Sequence, residues 1–325
     1  MKKIKNVLII GLGSIGSRHL KIIKELRPEI NVNLLRRRES KENNLEKLAN
    51  KIFYDIKEAL KENIDAVIIS SPSSMHINQA INFLDLNIPI FIEKPISNNL
   101  KDCLKFKRLA EKKNALILVG YVLRHAKILN EYKKLIAQNI IGKHIYIDIK
   151  CSSFLPDWRN NIDYKNSVSG NYSLGGGAIL ELSHELDYAN WLFGPFNELK
   201  AITNNTKQLE INVEDIAKII AINKNKCLIN IHLDFISQIP KRYCRLNGSK
   251  GFIKLDFINN TISSKLNLEK EIKSYKFESN YEDMYINQMV HFFKCIEDNK
   301  KPIITLEEST EIMRMIEICK SSSLS

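Results

Sequence analysis

Three short segments of the chain hold residue types that can bind a nucleotide or move a proton. The first, residues 11–16, is a glycine-rich turn between an apolar run and a helical pattern. Gly11 permits the tight turn, Gly13 lets the backbone approach a pyrophosphate, and Gly16 lets helix and strand come close. The first backbone amides of the helix can donate hydrogen bonds to a phosphate group. This context predicts a dinucleotide site, with a purely structural turn as the alternative. The predicted contact residues are Gly11, Gly13, Ser14, Ile15 and Gly16.

The residues after the second predicted strand bear on which dinucleotide is bound. An acid at that position accepts a hydrogen bond from the ribose 2′-hydroxyl of NAD. Here Leu35 is followed by three arginines, and the first acid is Glu39. Arg36 and Arg37 suit the 2′-phosphate of NADP, through charge-assisted hydrogen bonds. The sequence therefore favours NADP over NAD, and a solvated basic loop is the alternative.

Polar segments also follow the next two predicted strands, residues 66–69 and 90–92. Open α/β sheets bind their ligands at the carboxyl ends of parallel strands, so we expect both segments at the ligand edge. A lysine at a strand end is otherwise more often a solvated surface group. The candidate residues are Ser71, Pro72 and His76 after one strand, and Glu93 and Lys94 after the other.

The third segment, residues 175–187, joins three glycines to a helical pattern. The glycines allow a ligand to approach the backbone closely. Glu181, His184 and Asp187 follow at intervals of three residues, which places them on one face of a helix. A histidine between carboxylates can act as a general base, because a neighbouring carboxylate fixes its tautomer and stabilises the imidazolium. An ordinary capped helix with a hydrogen-bonded histidine is the alternative.

The elements that must position these segments fall into two halves. In the first, unbroken apolar runs alternate with helical patterns, which indicates a parallel sheet covered on both faces. In the second, strands with alternating polarity are joined by short turns, which indicates an antiparallel sheet. The fold prediction is α/β: a Rossmann domain over residues 1–121, then an α+β domain with an open, mostly antiparallel sheet over residues 122–325. The predicted strands are 7–10, 32–35, 66–69, 90–92, 116–119, 145–151, 216–222, 227–235, 243–246 and 252–257. The predicted helices are 14–26, 40–50 (capped by Ser40), 55–60, 73–86, 97–113, 127–139, 178–193, 283–297 and 306–319.

Composition narrows the class of protein. With 44% hydrophobic residues and only 12 glycines and 8 prolines in 325 residues, the chain is neither disordered nor collagen-like. Its six cysteines form no CxxC or Cys/His cluster, so we expect no metal site and a reduced, cytoplasmic protein. The apolar run after the first lysines is interrupted by glycine and is not read as a secretion signal. No stretch reaches the roughly 18 apolar residues of a membrane span, so no membrane partner is expected.

The formal net charge of +12 is compatible with nucleic acid, an anionic membrane surface or a small anionic ligand. Apart from residues 36–38, the basic residues are spread along the chain, and no nucleic-acid-binding module is recognised. We therefore expect small anionic ligands and not nucleic acid.

Taken together, the motifs resemble those of the Gfo/Idh/MocA oxidoreductase family over most of the chain: the glycine fingerprint, Glu-Lys-Pro at 93–95, and the segment 175–187. The resemblance implies an NAD(P)-binding Rossmann domain, a second domain whose sheet is often buried between subunits, and hydride transfer between a sugar or polyol carbon and nicotinamide. It implies that Lys94 contacts the reacting hydroxyl and that His184 exchanges its proton. It also implies that Ser71, Pro72 and His76 line the middle of the cofactor, and that Glu93 contacts its ribose.

Two features set this chain apart within that resemblance. Glu181 stands where an aspartate is usual, and two residues separate it from His184 where many relatives have three. The sequences at 182–187 and 155–159 resemble a bacterial subgroup often found with surface-sugar biosynthesis, including sialic- or legionaminic-acid-like sugars. An arginine can bind a carboxylate or phosphate on the substrate, and a tryptophan offers a flat face to a sugar ring. The alternative is that these residues pack at a domain interface. The candidate substrate residues are Arg124, Trp158, Arg159 and Asp187.

The predicted function is an NAD(P)-dependent oxidoreductase acting on a CH–OH carbon of a sugar or sugar derivative, with a nucleotide-linked or acidic sugar as the candidate substrate. The predicted catalytic residues are Lys94, His184 and Glu181. We expect a homodimer or homotetramer formed through the C-terminal sheet. The alternative is a non-catalytic NADP(H)-binding sensor or partner subunit, against which the presence of both Lys94 and His184 argues.

Overall fold

A computed structural model describes residues 3–40, 43–158, 163–278 and 280–322. The chain divides into two compact units, and each unit takes part of the C-terminal segment. The predicted domain division after residue 121 stays a prediction. The first unit is Met1–Val122 with Tyr285–Met313, and the second is Leu123–Met284 with Arg314–Ser325.

The first unit is built on a parallel sheet of six strands among the described residues. These are β1 (Asn6–Ile10), β2 (Asn31–Leu35), β3 (Lys51–Phe53), β4 (Ala66–Ile69), β5 (Ile90–Ile92) and β6 (Ile117–Val119). Their order across the sheet is β3-β2-β1-β4-β5-β6, the Rossmann order, in which the chain reverses direction across the sheet between β1 and β4. Consecutive β1 residues Val7, Leu8 and Ile9 have no exposed surface, so both faces of the sheet are covered. The predicted parallel α/β sheet is confirmed.

The second unit is built on a mostly antiparallel sheet. Its strands are β7 (His144–Phe154), β8 (Phe196–Asn204), β9 (Ile216–Asn223), β10 (Leu228–Asp234), β11 (Ile236–Gly248), β12 (Gly251–Asp256), β13 (Thr261–Leu266) and β14 (Lys273–Lys276). The described order is β14-β13-β12-β11-β7-β10-β9-β8, and only the central pair β7 and β10 runs parallel. This confirms the predicted sheet type.

Helices connect and cover the strands. They are α1 (Ser14–Leu26), α2 (Ile56–Ala59), α3 (His76–Leu84), α4 (Leu100–Lys112), α5 (Lys127–Ala137), α6 (Ala178–Glu181), α7 (His184–Phe193), α8 (Asp283–Glu297) and α9 (Leu306–Ser321). Local capping fixes several starts: the Asn99 side chain accepts from the Asp102 amide at the start of α4, and Asp55 does the same for Lys57 at α2.

Two helix predictions were wrong. The described part of residues 40–50 holds a short 3₁₀ helix, Asn44–Leu48, which is capped by Asn43 and not by Ser40. Asn43 and Glu46 form a reciprocal capping box that starts this single turn. The helix-rich segment predicted at about 178–193 is two helices, because the chain leaves helical geometry at Leu182, so Glu181 does not share one helix with His184 and Asp187 as predicted.

No helix in the described ranges of the chain is long and apolar enough to cross a membrane. Nor does any group of three or more His, Cys, Asp or Glu side chains in those ranges have an arrangement suited to a metal ion. The six cysteines are all buried thiols and form no disulfide.

Candidate active site

The glycine turn between β1 and α1 contains three glycines, and only one of them has open space where a side chain would lie. A Cβ on Gly16 would collide with the Gly11 carbonyl and lie 2.6 Å from the Ser70 hydroxyl oxygen. Gly11 has φ +89°, and a Cβ there would lie 3.1 Å from the Ser70 carbonyl carbon. A Cβ on Gly13 would meet nothing within 4 Å. The turn therefore presents open space at Gly13, the position at which a pyrophosphate needs to approach the backbone.

The start of α1 is also suited to an anion. Gly13 caps the helix without a side chain, and the first turn carries no acidic residue. Ser14 and Ile15 are its first two residues, so their amides belong to the unsatisfied group at the helix N-terminus. Open space and donors together fit the diphosphate of a dinucleotide.

The arginines after β2 lie in three different environments. Arg36 forms an ion pair with Glu46, and its side chain is only 8% exposed. Arg37 is exposed, and Arg38 lies over the Tyr54 ring with its guanidinium carbon 5.3 Å from the centroid. Sequence reasoning missed the Glu46 pairing, which occupies one of the two arginines predicted for a 2′-phosphate.

His76 joins the loops that follow β4 and β5. Its Nε2 lies 2.7 Å from the Ser71 carbonyl oxygen, and its Nδ1 lies 3.0 Å from the Pro95 carbonyl oxygen. The residue is 1% exposed, and burial lowers its pKa below 6.5 although both carbonyls raise it. The ring thus holds together the loop of Ser71 and Pro72 and the loop of Lys94. Direct contact of His76 with a cofactor stays a prediction.

The Glu93 carboxylate is held at the end of β5, next to a half-buried Lys94. His19 on α1, which sequence reasoning missed, lies with Nε2 2.7 Å from Glu93 Oε1. The Lys94 amide donates to Glu93 Oε2 over 3.2 Å. The only signal for His19 in the sequence was a polar residue beside the apolar positions of α1.

In the second unit, the glycine triplet fits closely against the protein's own atoms. A Cβ on Gly176 would lie 2.6 Å from the Ser169 carbonyl oxygen, and one on Gly177 would lie 2.6 Å from Glu214 Oε2. Gly177 also has φ +111°. The glycines therefore serve the folding of this turn, whereas the sequence prediction had assigned them to a ligand.

Glu181 and His184 lie on either side of a break between helices. Glu181 is the last residue of α6 and accepts a hydrogen bond from the Ser169 hydroxyl at 2.8 Å. His184 is the first residue of α7 and is partly exposed. Glu214 fixes the start of α6, because its carboxylate accepts from the Ile179 amide at 3.1 Å and its carbonyl from the Ala178 amide at 3.0 Å. Sequence reasoning missed Glu214.

Two predicted substrate residues form an ion pair with each other. Arg124 is 2% exposed, and its Nε and Nη2 donate to Asp187 over 2.7–3.2 Å. Asp187 is 1% exposed. A second pair that the sequence did not reveal joins Arg242 to the fully buried Glu185, with Nε 2.7 Å from Oε1. Together these pairs anchor α7, and substrate contact by Arg124 or Asp187 stays a prediction.

The remaining candidates lie beyond β7. Trp158 is partly exposed, donates from Nε1 to the Ser153 hydroxyl at 2.8 Å, and meets the Phe235 ring edge-on at 5.2 Å. Arg159 lies outside the described residues.

Comparison with protein families identifies the class to which this fold and this turn belong. The model of an oxidoreductase family with an NAD-binding Rossmann fold, Gfo/Idh/MocA, matches residues 5–121. The model of the C-terminal alpha/beta domain of the same family matches residues 133–325. The chain belongs to the Gfo/Idh/MocA oxidoreductase family, and its first matched region is an NAD-binding domain. The predicted family is confirmed.

The curated relatives are distant in sequence, and solved structures of low sequence identity share the fold. A 2,7-anhydro-N-acetylneuraminate hydratase of Mediterraneibacter gnavus is 25% identical over 60% of this chain, and the match spans 52% of that protein. A myo-inositol 2-dehydrogenase of Thermotoga maritima is 23% identical over 92% of this chain and 90% of its own. A structure of levoglucosan dehydrogenase with NADH and levoglucosan superposes with TM-score 0.87 at 15% identity, covering 99% of this chain and 97% of the other. For the first two curated relatives, the match spans little more than half of their length.

Proposed function

We propose that this chain is an NAD(P)-dependent dehydrogenase or reductase that acts on a CH–OH carbon of a sugar or sugar derivative. The observation that carries the proposal is the glycine turn, in which Gly13 faces open space at the start of α1 while Gly11 and Gly16 have none. Membership of the oxidoreductase family supports the reaction class. The names of the inositol and levoglucosan enzymes support a sugar or polyol substrate.

Three side chains carry the proposed chemistry. When bound, the nicotinamide supplies hydride transfer. Lys94 polarises the oxygen of the reacting carbon, because an ammonium group stabilises developing negative charge there. His184 takes the hydroxyl proton during oxidation and returns it during reduction. Glu181, held by Ser169, assists His184 by fixing the tautomer of its ring.

We propose NADP(H) as the preferred cofactor. Arg37 is exposed after β2. No acidic residue lies between Leu35 and Arg38 to accept a hydrogen bond from a ribose 2′-hydroxyl. Because Arg36 is paired with Glu46, Arg37 is the arginine that we assign to the 2′-phosphate.

An arginine variant tests the cofactor assignment. Arg37→Ala is expected to raise the Kd for NADPH about 10- to 150-fold, since a charge-assisted hydrogen bond contributes roughly 1.5–3 kcal/mol, and to leave the Kd for NADH unchanged. Arg108→Ala, which removes an exposed arginine from α4, is the matched control. Tighter binding of NADH than of NADPH by the unsubstituted chain would contradict the preference.

The proposed substrate is an acidic or nucleotide-linked sugar of the kind used in surface glycans. The subgroup resemblance of residues 155–159 and 182–187 supports this, as does the acidic sugar in the name of the neuraminate hydratase. Trp158 is the proposed sugar-ring contact, and Arg159 is the proposed contact for a carboxylate or phosphate.

Substitution of Lys94 tests the catalytic proposal. Lys94→Ala is expected to lower kcat on the best substrate of a sugar panel by about 100-fold or more, as loss of a positioned proton-transfer or polarising group does, while the Kd for NADPH stays within about threefold. Turnover is followed by nicotinamide absorbance. Lys101→Ala, an exposed lysine of α4, serves as control. Equal losses of turnover and cofactor affinity would contradict the assignment, and no turnover with any sugar would favour a non-catalytic sensor.

We further propose a homodimer or homotetramer formed through the sheet of the second unit. Helices α5, α6 and α7 contact this sheet, and buried residues alternate with more exposed ones along β9 and in the first half of β10. On the more exposed face, Tyr146, Ile220 and Leu228 are each 44–54% exposed. Leu228 is in register with Tyr146 on β7 and with Ile222 on β9, so these apolar residues lie side by side and suit contact with a second copy.

A further inference from the structure

His19 is a buried polar residue with one polar contact among the residues that the structure describes. It lies on α1 within the first unit, has no exposed surface, and meets the Phe91 ring edge-on at 5.1 Å. Its Nε2 lies 2.7 Å from Glu93 Oε1. An ionised carboxylate only accepts, so Nε2 carries the hydrogen and donates it.

The other ring nitrogen of His19, Nδ1, makes the histidine costly in free energy at this core position. Nδ1 is buried and has no hydrogen-bond partner among the described residues. Leaving a buried polar atom without a partner costs about 1–3 kcal/mol. An apolar residue would fill the same core position without that cost, so the histidine is best explained by what it does for Glu93.

The Glu93 carboxylate is confined on several sides. The Glu93 amide donates to the Ile69 carbonyl at 2.9 Å, which ties the residue to β4. Oε2 accepts from the Lys94 amide at 3.2 Å, and a Cβ on Gly120 would lie 2.8 Å from the same oxygen. His19 fixes the remaining oxygen. One carboxylate therefore connects α1, which begins at the glycine turn, with the main chain of Lys94.

We propose that His19 is a positioning residue of the cofactor site: its Nε2–H holds the Glu93 carboxylate in one orientation, toward the ribose of the bound dinucleotide and against the Lys94 main chain. This inference rests on the proposed function. It gives His19, a core residue of α1, a role in cofactor affinity and in the placement of Lys94. A residue that only packs in the core would affect neither.

Two substitutions separate hydrogen bonding from packing. In a Gln side chain the amide nitrogen reaches about as far from the backbone as Nε2 of histidine, whereas in Asn it reaches only as far as Nδ1. His19→Asn is therefore expected to raise the Kd for NADPH, measured by nicotinamide fluorescence, about tenfold and to lower kcat by more than it changes the sugar KM. His19→Gln is expected to keep both quantities within about threefold of the unsubstituted chain.

The control is Ile22→Ala, which truncates a buried residue of the same helix. It is expected to lower Tm as much as His19→Asn or more, with the NADPH Kd unchanged. Unchanged binding and turnover in His19→Asn would overturn the proposal. So would equal losses in His19→Gln and His19→Asn, or a loss of affinity in all three variants that follows Tm. Absence of NADPH and NADH binding by the unsubstituted chain would instead overturn the proposed function, and this inference with it.

Discussion

Gly13 and Gly16 belong to one turn but have opposite surroundings. A Cβ on Gly16 would collide with the Gly11 carbonyl and the Ser70 hydroxyl, so the missing side chain lets α1 approach β1 and β4. Gly13 has ordinary backbone angles, φ −74° and ψ −166°, and open space. The sequence motif predicts this difference in role, but it does not reveal that Ser70, from another strand end, is one of the groups that crowd Gly16.

The two glycines should respond differently to the same methyl group. Gly16→Ala is expected to lower the free energy of unfolding by about 1–3 kcal/mol or more, as overpacking of a rigid site does. Gly13→Ala is expected to change it by less than about 0.5 kcal/mol. Urea unfolding of both variants checks this, and equal destabilisation would contradict the assigned roles.

Charged residues with distant partners were the hardest to interpret from sequence. Arg124 was predicted to meet a substrate anion, which stays a prediction, and the structure shows that its guanidinium binds Asp187, 63 positions away. His19 and Glu93 are separated by 74 positions. Residue type identifies such charged groups as candidate site residues. Their partners depend on strand order and burial, and a single sequence does not specify these residue by residue.

At the scale of elements, Glu214 holds the helix pair that carries Glu181 and His184. Its carboxylate accepts from the start of α6 and lies against Gly177. Burial raises the pKa of Glu214 above its ordinary value of 4.5, even though the Ile179 amide and Lys320 lower it and Asp215 raises it further. The native state therefore holds a proton on Glu214 more readily than the unfolded chain does.

This shift predicts a pH dependence of stability. Because the pKa is raised on folding, the contribution of Glu214 is fully present below pH 4.5 and is lost as pH rises through the raised value. Glu214→Gln stays neutral, so its Tm relative to the unsubstituted chain is expected to increase as pH is raised from 4.5. Glu210→Gln, at a largely exposed ion pair with Lys165, is the control and should show no such trend. A constant difference across pH would contradict the role.

Elements with strong periodicity were predicted well. Strands 66–69 and 90–92 and helix 14–26 have their predicted bounds. The sequence did not predict β3, β8, β13 and β14. β3 is short and begins with an exposed lysine, and the other strands carry many polar residues along their length. The break at Leu182 was missed because apolar periodicity continues across it, while Glu214 and the glycine triplet determine where α6 starts.

At the scale of the whole molecule, the surface of the second unit's sheet says more about the proposed assembly than the net charge of +12 does. Leu228→Lys places a charge within the apolar face that contains Tyr146 and Ile220, so it is expected to reduce the molar mass measured by light scattering to that of a smaller assembly. Leu268→Lys changes a fully exposed leucine in the segment after β13 and should leave the mass unchanged. A monomer in the unsubstituted chain would contradict the proposed assembly.

The most direct test of the account is a titration of the unsubstituted chain and Gly13→Asp with NADPH and NADH, followed by nicotinamide fluorescence. An aspartate at Gly13 has room in the fold but places a negative charge in the space that we assign to the pyrophosphate. The account predicts saturable binding by the unsubstituted chain, and a loss of affinity of at least about 100-fold in Gly13→Asp with an unchanged Tm. Failure of the unsubstituted chain to bind either dinucleotide, or equal binding by the folded variant, would contradict it.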